Sequence, residues 1–386
     1  MIYLDNGATS WPKPESVVEA VEKALRAPAS PGRSGHKAAH AASRSVHRAR
    51  KGIAKIFGVK DPERVAFTPN VTWAVNAALW GLGLKEGDHV LSGALEHNST
   101  ARPLRRLERG RGAAWERVDP GPDGILDPEE FRRRLRPETR LVVINHASNV
   151  TGALAPAREI KEAAGEVPIL VDTAQTAGSV PLDDMGQWAD FICFTGHKGL
   201  LGPTGTGGLC VKEGARFSPL AVGGSGSRSE SLEHPDFLPD ALEAGTHNTH
   251  GLAGLAAAAE FLLETGIDRI REHELALAEL FMAGALQASG LRILGPQPGD
   301  RRRVATVSVT LEGYSSSDLA RILEEGYGIM TRAGLHCAPL THQACGSFPG
   351  GSVRFSFGYF NTFQEAEAAA GALREIAAKP RAAGLS

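Results

Sequence analysis

The sequence is short of net charge, of cysteine and of long apolar runs, and each shortage excludes a class of protein. Its 42 Lys and Arg residues stand against 44 Asp and Glu, a formal charge of −2. With no basic excess to neutralise phosphates, generic nucleic-acid binding loses its electrostatic basis. Four cysteines (Cys193, Cys210, Cys337 and Cys345) are too few and too scattered for a secreted disulfide framework. The longest apolar run, Leu252 to Leu263, is interrupted by Glu260 and is too short to span a bilayer. Residues Met1 to Gly7 lack the charged and apolar regions of a signal peptide. The expectation is a cytoplasmic protein with no membrane and no nucleic-acid partner.

What is present is an ordinary globular composition, 42% hydrophobic and 22% charged, over 386 residues. That length is enough for about two to three domains. Short apolar runs alternate with helical patterns from residue 64 onward. The runs are Arg64–Thr68, His89–Ser92, Leu141–Asn145, Pro168–Asp172, Phe191–Thr195 and Gly207–Val211; helices are expected at Thr72–Trp80, Pro128–Leu135 and Pro156–Ala164. The strands are continuously apolar, as burial on both faces requires, so a three-layer α/β domain with a mostly parallel sheet is expected. Helices at Gly251–Gly266 and Asp268–Ala288 come next. The last hundred residues then read as a smaller α+β domain, with strands Val304–Leu311 and Ser352–Phe357, another ending near Arg332, helices Ser316–Glu325 and Phe363–Ala378, and a frayed tail from 379 to 386.

In a sheet of this kind ligands sit beyond the carboxyl ends of the strands. Two runs end on ionisable residues there. Ile169-Leu170-Val171 ends on Asp172, and Phe191 to Thr195 leads into Gly196-His197-Lys198-Gly199. An acid at a buried strand end is costly unless paired. A Schiff-base lysine, with an aspartate on a protonated ring nitrogen, is the arrangement pyridoxal phosphate requires. Asn70-Val71-Thr72 follows a strand and opens a helix, which suits a phosphate or a simple N-cap.

The segments Asp172-Thr-Ala-Gln175 and Thr195-Gly-His-Lys198 resemble the cofactor-binding motifs of the class V aminotransferase family, and within it the group II cysteine desulfurase and selenocysteine lyase branch. Further similar segments are Leu4 to Thr9, Phe67 to Thr72, Glu96 to Ser99, Asn145 to Gly152, Glu243 to Thr246 and Gly351 to Ser356. The resemblance implies a pyridoxal phosphate transferase fold, with a large cofactor domain over 22–255 and a smaller domain from 1–21 and 256–386. It makes Lys198 the Schiff-base lysine and proton carrier, Asp172 the partner of the ring nitrogen, and Gln175 the donor to the phenolic oxygen. It makes His97 the residue stacked on the ring, the alternatives being a helix cap or a metal ligand. Asn70, Val71, Thr72, Thr195 and His197 would hold the phosphate, joined by Thr246 from a second subunit of a homodimer. Arg354 would clamp the substrate carboxylate, with Arg332, Asn149 and His36 beside the substrate.

Residues Thr331 to His342 are similar to the group II desulfurase loop at Arg332, Gly334, His336, Cys337 and Ala338, and depart from it at Leu335 and Leu340. This resemblance implies that Cys337 attacks the sulfur of L-cysteine and passes a persulfide to an acceptor protein. Nearby positive charge from Arg332 and His336 would favour a thiolate. A metal site from His336, Cys337, His342 and Cys345 is disfavoured by its spacing. Cys345 is either a second thiol near the first or structural, while Cys193 and Cys210 read as core. The rival functions are a selenocysteine lyase, a C–S lyase or a transaminase on the same scaffold, and a non-catalytic scaffold that keeps the cofactor for folding.

Overall fold

The computed structural model describes residues 1–28, 31 and 35–379, so most of the expected tail lies outside the described residues. The chain opens with β1 (Ile2–Tyr3), α1 (Glu15–Leu25), α2 (Lys37–Phe57), β2 (Val65–Thr68), α3 (Val71–Gly81), β3 (His89–Gly93), α4 (Asn98–Arg111) and β4 (Ala114–Val118). It continues through α5 (Pro128–Arg134), β5 (Thr139–Asn145), α6 (Ala157–Ala164), β6 (Ile169–Asp172), the short α7 (Met185–Trp188), β7 (Phe191–Thr195) and β8 (Gly207–Val211). Next come α8 (Thr249–Thr265), α9 (Ile267–Ala285), β9 (Leu291–Leu294), β10 (Thr306–Leu311) and α10 (Ser316–Tyr327). The last elements are β11 (Ile329–Met330), β12 (Arg332–Gly334), α11 (Pro339–Ala344), β13 (Ser352–Ser356) and α12 (Phe363–Ala378).

The large sheet has the order β2-β8-β7-β6-β5-β3-β4, and only β8 runs against the rest. Its central strands are buried along their whole length, which explains their unbroken apolar runs. Register places Asn145 beside Asp172 and Asp172 beside Cys193, so three strand ends open on one edge. The smaller sheet, β12-β13-β10-β9, is antiparallel and is covered by α9 and α12 around Phe281, Phe355 and Leu373. Among the described residues no helix is long and apolar enough to cross a membrane.

Three differences from the sequence reading have physical causes. β4 escapes notice because it is the sheet's edge, and its half-exposed Ala-Trp-Glu-Arg-Val carries no apolar run. The helix α2 hides its buried face behind small residues and a buried arginine, Arg50, whose partner Glu243 lies 193 positions away. The division expected at residue 255 falls inside α8. That helix packs as one unit, and its Ala256, Ala259 and Leu262 join the core of the large sheet.

Candidate active site

β6 and β7 carry the two charged groups. Asp172, 1% exposed, accepts the Ala174 N–H at 2.9 Å and the Ser99 hydroxyl at 3.2 Å. Burial pushes its carboxyl up, while those two donors and the charge of Lys198 pull the other way. Lys198 lies deep but keeps some accessible surface, and it has no carboxylate within ion-pair distance. Burial, aided by the Arg354 charge, lowers its amine to about 8. An amine poised there carries a neutral fraction near neutral pH, as a base requires.

His97 precedes α4 and caps it: Nδ1 accepts the Ser99 N–H at 3.0 Å. The capping reading and a ring-facing role are compatible, because the cap uses one ring nitrogen and leaves the ring's face free. Burial, then the charges of Lys198, Arg332 and Arg354, lower its pKa to about 3, so the imidazole is neutral. The turn before it is tied to β5 in both directions. Glu96 Oε1 accepts the Asn145 N–H at 2.9 Å, and Asn145 Nδ2 donates to the Leu95 carbonyl at 3.3 Å. Gln175 donates from Nε2 to the Gly7 carbonyl at 3.1 Å.

The N-terminus of α3 lies against β8. Asn70 caps it through Oδ1, which accepts the Trp73 N–H at 3.2 Å; Val71 is buried and Thr72 exposed. At Gly207 a Cβ would sit 2.7 Å from the Phe194 carbonyl and 2.8 Å from the Asn70 Cα, so the strand reaches this helix end only as glycine. Thr195 is buried with its hydroxyl 3.5 Å from the Thr206 carbonyl. His197 fixes the N-terminal segment through its carbonyl, which accepts from Ser10 N–H, Thr9 hydroxyl and Lys13 Nζ at 3.0, 3.1 and 3.0 Å. Its Nδ1 is buried without a partner, and burial lowers its pKa to about 4.

The smaller sheet brings its own groups. Arg332 and Arg354 are opposite each other on β12 and β13. Arg354, 1% exposed, donates from Nη2 to Asp5 at 2.6 Å and from Nη1 to the Asn149 carbonyl at 3.1 Å, which leaves Nε unpartnered. The carboxylate it holds is therefore one of the protein's own. Arg332 has no carboxylate partner, and its Nη2 lies 3.8 Å from Cys337 Sγ. Cys337 is exposed. His336 is buried, with Nε2 3.1 Å from the Ser352 hydroxyl, and burial lowers its pKa to about 2. It is neutral, so the positive charge expected beside the thiol comes from Arg332 alone.

Two expected residues are not brought here. His36 is exposed and caps α2, with Nδ1 accepting the Ala39 N–H at 3.2 Å. Thr246 is exposed and lines a separate cavity of about 340 Å³ beside His47, Arg50 and Asp240. Near it Glu243 is buried in a bidentate pair with Arg50, at 2.8 and 2.9 Å, and also accepts the Phe67 N–H at 2.6 Å. Cys193 and Cys210 are buried in β7 and β8. Cys345 is half-buried, and burial raises its thiol pKa. Among the described residues no group of His, Cys, Asp or Glu gathers as metal ligands.

Sequence reasoning assigned no role to Asp5, Gly7, Ser99 or Ser352. The first three lie in segments that carry the family resemblance, and that was the only signal available for them.

The residues fit pyridoxal phosphate on their own chemistry. A buried carboxylate suits a cationic ring nitrogen, a lysine without an ion partner suits a Schiff base, and a neutral histidine can lie against a ring. Unpartnered buried atoms (Asn149 Oδ1, His197 Nδ1 and Arg354 Nε) show that the protein alone does not satisfy the site.

The chain matches the aminotransferase class-V family over residues 2–368. It is 34% identical to a probable cysteine desulfurase of Methanothermobacter thermautotrophicus, over 97% of this chain and 94% of the relative. A cysteine desulfurase of Haloferax volcanii is 33% identical, over 95% of this chain and 88% of the relative. The structure of the apo cysteine desulfurase from Thermococcus onnurineus superposes with a TM-score of 0.90 at 31% identity, covering 97% of this chain and 94% of that one. With its strand-end lysine and aspartate in place and the match spanning both sheets, the chain belongs to the class V aminotransferase family, whose enzymes depend on pyridoxal phosphate.

Proposed function

We propose that the protein is a cysteine desulfurase, which takes the sulfur from L-cysteine as a persulfide on Cys337 and releases L-alanine. The observation that carries this reading is the contact between the Cys337 carbonyl and the Asn98 N–H at 2.8 Å. An exposed thiol thereby stands beside the capping histidine, within reach of the Lys198 and Asp172 pocket. A transaminase has no use for that cysteine.

When bound, pyridoxal phosphate supplies the sink for the electron pair left at the substrate's Cα. Asp172 would hold its ring nitrogen, Gln175 its phenolic oxygen and His97 its face, with the α3 N-terminus, Thr195 and His197 at its phosphate. Lys198 removes the Cα proton and returns one during product formation. Arg332 and Arg354 bind the substrate carboxylate, Asp5 holding the Arg354 guanidinium in orientation. Cys337 Sγ attacks the substrate sulfur, so that an S–S bond forms as the Cβ–S bond breaks. L-cysteine plus the Cys337 thiol becomes L-alanine plus the Cys337 persulfide, with no oxidant consumed.

The persulfide then passes to a protein thiol. In this reading the enzyme works in the cytoplasm as a homodimer, with Thr246 turned toward the partner's cofactor phosphate. Product analysis with L-cysteine and a thiol reductant tests the chemistry: alanine and sulfide are expected in equal amounts. Pyruvate with ammonia would replace this reading by a C–S lyase, and a keto acid without sulfide by a transaminase.

A further inference from the structure

Only four non-glycine residues among those described have φ in the left-handed region, and two are consecutive: His336 at 50° and Cys337 at 57°. Such a conformation is unfavourable for residues with a Cβ and persists only where its surroundings impose it. The contacts that impose it come from the large sheet's side of the site. Asn149, in the turn after β5, donates from Nδ2 to the His336 carbonyl at 2.8 Å. Asn98, the first residue of α4, donates its N–H to the Cys337 carbonyl at 2.8 Å. The strained residues are thus held by one carbonyl each.

Asn149 has a second connection. Its side chain is buried, its Oδ1 has no partner, and its own carbonyl accepts Arg354 Nη1. One amide therefore fastens the cysteine loop through its nitrogen and leaves its oxygen free for a donor on a bound ligand.

We propose that Asn149 is a positioning residue for Cys337, holding the cysteine loop in its strained conformation while its free oxygen meets the ligand in the pocket. This goes beyond a place for Asn149 near cofactor or substrate, and it rests on Cys337 being the nucleophile. Ligand seating and nucleophile placement then pass through a single side chain. The loop has no comparable tie from the smaller domain at these two carbonyls, so loss of the amide lets the backbone relax away from the pocket.

The test reads the loop directly. The Asn98 amide is at a helix N-terminus, where no intrahelical acceptor exists, so its protection from hydrogen exchange reports the Cys337 contact. Asn149→Ala should speed exchange at Asn98 by about fivefold, the change in an equilibrium that one lost hydrogen bond produces. It should lower kcat for L-cysteine while KM and cofactor content stay within about twofold, the signature of a nucleophile out of place. Asn149→Asp keeps the shape and an acceptor but loses the donor, and it should match Asn149→Ala in exchange.

Unchanged exchange at Asn98 in both variants would overturn the proposal, as would lost cofactor or raised KM with exchange unchanged. Should either variant fail to fold, Asn98→Pro removes the second tie at a position where helices accept proline, and it should lower kcat in the same way. His97, at φ −74° and ψ 158°, already has the conformation a residue before proline adopts. If the wild type makes no alanine while Asn149→Ala still speeds exchange, the desulfurase reading fails and the tie stands.

Discussion

The lysine pocket and the cysteine loop solve opposite problems with opposite materials. Lys198 and Asp172 leave the ends of buried parallel strands, where the sheet fixes the backbone and burial tunes the charges. Cys337 stands exposed on a short loop between β12 and α11, in a conformation its own residues disfavour. A group that must hold a cofactor benefits from rigidity and a low dielectric. A group that must receive sulfur from one molecule and hand it to another needs exposure, and its placement is borrowed from neighbours. Strand ends supply permanent geometry, while the loop's geometry is conditional on its contacts.

The sharpest way to separate the regions is to remove one group from each. Lys198→Ala should abolish the covalent link to pyridoxal phosphate and lower turnover by on the order of 10⁴, since a positioned base and the attachment point are lost together. Borohydride reduction followed by peptide mapping checks the site of attachment; a labelled lysine elsewhere would break the comparison. Cys337→Ser should keep the bound cofactor's absorbance yet lower alanine formation by about 10³, because a hydroxyl is a poor nucleophile toward sulfur and cannot hold a persulfide. A variant that retained turnover would move the nucleophile elsewhere.

A milder change probes the hinge between the two regions. Arg354→Lys keeps the charge but loses the fork that serves Asp5 and Asn149, so KM for the amino acid should rise by about tenfold with cofactor content little changed. Initial rates against substrate concentration decide this.

The smallest effect is the pH dependence of cofactor attachment. Lys198 is lowered to about 8, so its neutral, reactive form grows as pH rises toward that value and saturates above it. Attachment to the apoprotein should quicken by about tenfold per pH unit below 8 and then level off. The same shift has a stability consequence. An amine at about 8 when folded, against 10.5 when unfolded, leaves the unfolded chain binding more protons between those values, so stability should rise with pH across that window. Melting of the apoprotein, compared with Lys198→Met, measures it.

Legibility in the sequence followed how local each feature was. Six of the seven large-sheet strands are apolar runs bounded by polar residues, and α12 begins with a capping box at Thr362 and Glu365. Both signals lie within a few residues, and α12 has the bounds read from sequence. The edge strand β4 and the helix α2 were missed because their patterns depend on what lies beyond them. Among site residues, Asp172 and Lys198 were exposed by an ionisable group ending an apolar run. His97 is a helix cap as well as a candidate ring contact, and a linear pattern does not separate those roles.

By itself the sequence determined the order of strands and helices and the delivery of an acid and an amine to one sheet edge. Periodicity and a strand's end are properties of neighbouring residues, so those conclusions need no closure of the chain. Only the tertiary structure decided which charges meet. Asp5 takes Arg354 from 349 positions away, Glu243 takes Arg50 from 193, and Asn149 reaches the His336 carbonyl across 187. Each partner is a surface-type residue in linear terms. Its role arises because folding removes water from both groups at once, and a buried polar group stripped of water must find its counterpart in the protein.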